Sequence, residues 1–139
     1  MEKVNDMKVI VCGPIAYGNI EEIRMIQKIL EKEGYNVIDQ FKLTEMDYSS
    51  IEDFRDRREV AERIVKNDLM FIDECDILVA LCDRPSFGTA IETFYAKMHG
   101  KIVIVLSGKP QPSPWPIAFA DTIVKSLDEL KLVLSNYIR

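Results

Sequence analysis

Three apolar runs constrain this chain more than any other feature: residues 8–12 (KVIVC), 76–81 (DILVAL) and 101–107 (KIVIVLS). A strand with one wet face alternates apolar and polar side chains. These runs are nearly continuous in Val, Ile and Leu, the pattern of parallel strands covered on both faces. Residues 35–40 form a fourth strand-like run, and 122–124 a short candidate fifth.

Between the runs the apolar period changes to that of a helix. Ile20, Ile23, Ile26 and Leu30, with Ile29 beside them, make one stripe, and Gly34 stands where a helix C-cap would. A second helix is expected from about residues 49–53 to Asp73, with Val60, Ile64, Val65, Leu69 and Ile72 inward. A third runs from 88–89 to 99–100. A fourth covers about 126–137, opened by the capping-box pattern Ser126-x-x-Glu129. Such alternation predicts an α/β fold: a three-layer, doubly wound parallel sheet of about five strands with right-handed crossovers. By analogy with small flavodoxin- and Rossmann-like domains, the expected strand order is 2-1-3-4-5. No internal repeat or linker divides the chain, so residues 1–139 are read as one domain.

Two connections are long. Residues 41–58 are rich in charge. Residues 108–120 carry Pro110, Pro112, Pro114 and Pro116, which predicts a stiff, extended segment unable to form a helix. Loops of this size usually cover a site or reach a partner subunit.

Composition narrows the function. A net charge of −5 argues against binding a nucleic-acid polymer, because that affinity rests on Lys and Arg neutralising phosphates. A mononucleotide needs only local donors. No apolar run approaches the ~20 residues of a membrane span, and residues 1–8 lack a signal-peptide core. Cys12, Cys75 and Cys82 are an odd number without a CxxC pair; they read as reduced thiols of a cytoplasmic protein, behaving as small hydrophobes. One histidine and no metal-binding spacing imply no metal, and no cofactor is expected.

In a doubly wound sheet, ligands bind beyond the carboxyl ends of the strands, where the strand order reverses. Gly13-Pro14-Ile15 follows the first strand, and residues 83–89, with Ser86, Gly88 and Thr89, follow the third. Each leads to a helix N-terminus that favours an anion. Neither a dinucleotide nor a triphosphate motif is present. Glu92 is placed in the first turn of the third helix. There Thr89-x-x-Glu92 can be a capping box or Glu92 can be a reactive acid. Asp68 lies four residues after Ile64 and four before Ile72, so an acid sits on the inward stripe and needs a partner or a function. Ser86 can cap the helix or meet a ligand oxygen. His99 beside Gly100 reads as a helix C-terminal residue favoured by the dipole.

Taken together, KVIVCGPI at residues 8–15, Asn67-Asp68-Leu69 followed by DILVA at 76–80, and SFGTAIE at 86–92 resemble the nucleoside 2-deoxyribosyltransferase family, which includes the 2'-deoxynucleoside 5'-phosphate N-hydrolases. The likeness spans about residues 8–107. It implies Glu92 as nucleophile and Asp68 as the acid that contacts or protonates the base. Transferases of the family carry an acid six residues before the nucleophile, and phosphate-specific hydrolases a serine. Ser86 therefore leans toward a nucleoside 5'-monophosphate. Pro14 and Ala16 replace a serine and an arginine of such hydrolases, and Ile10 replaces a first-strand tyrosine. Phosphate recognition is then expected from backbone amides, Ser86 and Ser113, which falls where these hydrolases contribute a serine from a neighbouring subunit. A homo-oligomer is implied.

The implied chemistry is that of a retaining glycosidase, with a carboxylate attacking C1' through an oxocarbenium-like transition state. Amides near the helix N-terminus are expected to keep Glu92 ionised, and burial to raise the pKa of Asp68. The alternatives are a deoxyribosyltransferase that exchanges bases and a nucleotide-binding module in which Glu92 is only a cap. A cytokinin-activating-type phosphoribohydrolase shares Gly-Thr-x-x-Glu but usually has a preceding glycine pair, absent here.

Overall fold

The continuous apolar runs become the centre of a single parallel sheet. A computed structural model describes residues 6–137, so residues 1–5, on which part of the signal-peptide reading falls, lie outside it. Strands β1 (Lys8–Cys12), β2 (Asn36–Val37), β3 (Ile77–Leu81), β4 (Ile102–Leu106) and β5 (Thr122–Val124) pair in the order β2-β1-β3-β4-β5, as expected. Helices α1 (Glu21–Lys32), α2 (Arg58–Glu74), α3 (Phe87–Met98), α4 (Pro114–Phe119) and α5 (Leu127–Tyr137) flank it on both sides. Val9, Ile10 and Val11, all of β3, and Val103 to Val105 are buried, which is why these strands have no polar alternation. The register sets Val9 against Ile77 and Cys12 against Ala80, so β1 and β3 finish side by side. Strand order reverses between them, and a crevice opens there.

The strand at 35–40 is shorter than expected. Ile38 N–H still donates to the Val9 carbonyl at 2.8 Å, but at Gln40 the chain turns into the first of two short 3-10 turns. The Gln40 side chain takes over the next rung, its Nε2 donating to the Val11 carbonyl at 2.7 Å. Gln27 Nε2 of α1 in turn donates to Gln40 Oε1 at 2.9 Å, so this buried amide is paired at both ends.

Three expectations are corrected. The second helix begins at Arg58 rather than near residues 49–53. Asp47 and Asp53 accept from the backbone N–H two residues on, at 3.2 and 2.9 Å, and these local turns compete with a helix. Val65 is 56% exposed, not inward; the stripe rotates so that Phe71, 1% exposed, joins Ile64 and Ile72. Residues 108–120 also hold a helix after all. Pro114 opens α4 and Pro116 falls in its first turn, where backbone N–H groups have no helical acceptor, so proline does no harm. Ser113 caps it, accepting from Trp115 N–H at 3.4 Å. At α5 the expected cap forms: Glu129 N–H donates to Ser126 Oγ at 3.2 Å, while its carboxylate accepts from Lys125 N–H at 2.7 Å.

Glycines end α1 and α3. Gly34 has φ 93° and Gly100 φ 75°. After Gly100, Lys101 N–H reaches back to the Ala96 carbonyl at 2.9 Å and Gly100 N–H to that of Lys97 at 3.2 Å, the paired bonds of a left-handed helix stop. Nothing lies within 4 Å of a Cβ placed on Gly100. Gly100→Ala is therefore expected to lower stability through backbone strain alone, by about 1 kcal/mol. Urea unfolding should show a lower midpoint and an unchanged slope.

Candidate active site

The crevice between β1 and β3 gathers two acids, a thiol and a phenol. Ser86 caps α3: its Oγ accepts from Thr89 N–H at 3.2 Å and lies 3.1 Å from Thr89 Oγ1. Thr89 is thus inside the helix and buried, and Thr89-x-x-Glu92 is not a capping box. Glu92 falls in the second turn, not the first, past the free amides of the helix start. The residue is 9% exposed, and its carboxyl is hydrogen-bonded to Asp68, which α2 brings in from its inward face.

This environment reverses one expectation. Burial first, then the charge of Asp68 and the hydrogen bond to it, push the Glu92 pKa well above the ordinary carboxylate range. A hydrogen bond with the Cys12 thiol opposes this. Asp68 is raised too, by burial, while its bond with Glu92 pulls the other way. Two buried carboxyls in contact cannot both carry charge, so the pair retains a proton.

Cys12 is more than a small hydrophobe. Fully buried at the end of β1, its thiol bonds Glu92 and its pKa is driven up by burial and by both acids. It was legible as a residue at the right end of a strand, but not as a partner of Glu92. Tyr48, from the connection before α2, carried no such signal. Burial and then Glu92 and Asp68 push its pKa up to about 12.

The remaining expected residues divide. Gly13 is buried by close packing, since a Cβ there would lie 3.1 Å from Leu81 Cβ. Ile15 packs against the core. Pro14 lines a cavity of about 340 Å³ between the first loop and the loop after β3, together with Tyr17, Asn19, Asp83 and Arg84. Neither Glu92 nor Asp68 lines this cavity. Gly88 stands in the first turn of α3 beneath the Tyr48 hydroxyl. Ser113 hydrogen-bonds to Gln111 and to Trp115 rather than to the acid pair. His99 ends α3, its ring stacked on Tyr95 at 3.9 Å.

Comparison with known proteins bears on the family and the fold. The family model described as nucleoside 2-deoxyribosyltransferase matches residues 10–130. A protein of Thermofilum pendens, assigned by its name to the 2'-deoxynucleoside 5'-phosphate N-hydrolases, is 32% identical over 103 residues, 73% of this chain and 68% of the relative. The fold is shared with a 2-deoxyribosyltransferase of Bacillus psychrosaccharolyticus (TM-score 0.66, 19% identity, 89% of this chain and 90% of that one). It is also shared with a CMP N-glycosidase of Clostridium botulinum (TM-score 0.58, 20% identity, 92% and 98%).

The raised pKa of Glu92 has a consequence for stability. The folded protein binds this proton more tightly than the unfolded chain, so the contribution is full at acid pH and is lost as pH rises above the ordinary glutamate value of 4.5 toward the raised one. Glu92→Gln removes that titration. Its melting temperature relative to the wild type should be higher at pH 8 than at pH 4.5. A difference that does not vary with pH would show that Glu92 is not held protonated.

Proposed function

The chain belongs to the nucleoside 2-deoxyribosyltransferase family, and on that premise we propose that it is an N-glycosidase that hydrolyses a (deoxy)nucleoside 5'-monophosphate to nucleobase and sugar phosphate, with Glu92 as nucleophile. The observation that carries this reading is the buried, hydrogen-bonded pair of Glu92 and Asp68 at the strand-order reversal. Such a pair holds one proton across two carboxyls, which is what the two half-reactions of a retaining glycosidase require.

When C1' of the sugar approaches Glu92, the proton moves through the existing bond to Asp68, leaving Glu92 as the anion. Glu92 attacks C1' as the bond to the base nitrogen breaks, and Asp68 gives its proton to the departing base. Water then adds to C1', Glu92 leaves, and the proton of that water returns to the pair. Cys12 donates to Glu92 throughout and stabilises its anionic form. Hydrolysis is preferred over base exchange because serine stands at position 86, where a carboxylate would repel a 5'-phosphate, and because the Thermofilum relative is placed among phosphate N-hydrolases.

Assembly is part of the reading. Phe87, Ile91, Phe94 and Met98 follow one face of α3 at helical spacing and are 94, 60, 46 and 58% exposed. Trp115 of α4, beside Ser113, is 63% exposed. An apolar stripe of this extent suits burial in a homo-oligomer. Among the described residues no helix is long and apolar enough to cross a membrane, and the three free, buried cysteines suit a reducing cytoplasm.

Chromatography of a panel of nucleosides and their 5'-monophosphates, with and without a second free base, tests the reaction. Base release from monophosphates is expected, without need of an acceptor. Glu92→Ala should abolish it, and Asp68→Asn should lower kcat by roughly 10²-fold. Full turnover by the Glu92 variant would rule out the mechanism, and product only on adding an acceptor base would make the protein a transferase. For assembly, sedimentation should show an oligomer that Ile91→Glu dissociates; a monomeric wild type at micromolar concentration overturns that part.

A further inference from the structure

Tyr48 is held in place by both its backbone and its ring. Ile51 N–H donates to its carbonyl at 3.0 Å, Asp47 clamps Ser49 on the other side, and the Phe54 ring meets the tyrosine edge-on at 5.7 Å. A half-buried aromatic fixed in this way has little freedom to point its hydroxyl elsewhere. That hydroxyl stands 3.8 Å from the point where Gly88 would carry a Cβ, and Ser86 Oγ is 4.0 Å from the same point. The space above Gly88 is thus walled by two hydroxyl groups and kept open by the missing side chain.

The two hydroxyls differ. Ser86 Oγ is engaged with Thr89. The Tyr48 hydroxyl has no hydrogen-bond partner among the described residues, although it lies near two acids and a thiol. Burial and those acids keep it protonated far above neutral pH, so it can act as a donor. Ile10, buried in β1, offers no hydroxyl to the same crevice.

We infer that Tyr48 is a substrate-contacting, specificity-determining residue: its hydroxyl donates a hydrogen bond to the 5'-phosphate of a nucleotide that lies over Gly88. This rests on reading the crevice as a nucleotide site, and it adds a donor from the connection before α2.

The test measures binding, so that it does not depend on turnover. Glu92→Gln is the background, which keeps the ligand intact, and each common deoxynucleoside 5'-monophosphate is compared with its nucleoside by calorimetry. Adding Tyr48→Phe should weaken monophosphate binding about tenfold, the loss of one hydrogen bond to a charged group, and leave nucleoside binding unchanged. Adding Gly88→Ala should weaken the monophosphate as well, without lowering the melting temperature, because a Cβ at 3.8 Å from Tyr48 is an ordinary contact and alanine favours a helix. Equal weakening of both ligands by Tyr48→Phe, no change in either, or no monophosphate that binds more tightly than its nucleoside would each overturn the inference. Base release by the wild type, assayed separately, decides the underlying reaction.

Discussion

Two carboxyl groups share one buried crevice, and much of the molecule serves to make that tolerable. An isolated ionised acid removed from water is costly, and two together are worse. Retaining a proton turns the repulsion of Glu92 and Asp68 into a hydrogen bond, at the cost of a pKa far from the usual range. Folding must hold the acids together against this tendency to separate. The force comes from elsewhere: α2 is anchored by Ile64, Phe71 and Ile72, and α3 by Ala96, all buried in the core.

The parallel sheet decides where this conflict is placed. β1 and β3 run side by side to their carboxyl ends, and Gly13 lets the first loop pass close to Leu81. Cys12, the last residue of β1, is thereby set beside Glu92 from the next layer. The thiol is an apt neighbour in such a site. It is small enough for a crowded strand end, and as a weak donor it can favour the anion of Glu92 without adding a third charge.

Much of the fold could be read from the chain because its strands are buried on both faces and its helices begin and end on local signals. Gly34, Gly100, Ser86 and Ser126 act through bonds to residues only a few positions away, so short windows reveal them. The two helix misreadings came from local signals of another kind. The start of α2 was lost to side-chain turns at Asp47 and Asp53, and α4 to counting prolines without asking which helix positions they occupy. In the site, Glu92 and Asp68 were visible as acids in apolar or motif contexts. Their shared proton was not, because it depends on a contact between residues 24 positions apart in different helices. Tyr48 was invisible for the same reason: nothing in a charged connection indicates that one ring turns back over α3.

The two glutamines at the sheet margin bear on a different property. Because β2 pairs over only two residues, the upper half of β1 would otherwise show bare backbone on that side. The side chain of Gln40, itself steadied by Gln27, occupies the Val11 carbonyl there. A passing extended peptide finds a rung already filled and a rim too brief to extend. The margin is thereby closed from within, by a pair of buried neutral amides rather than by a charged rim.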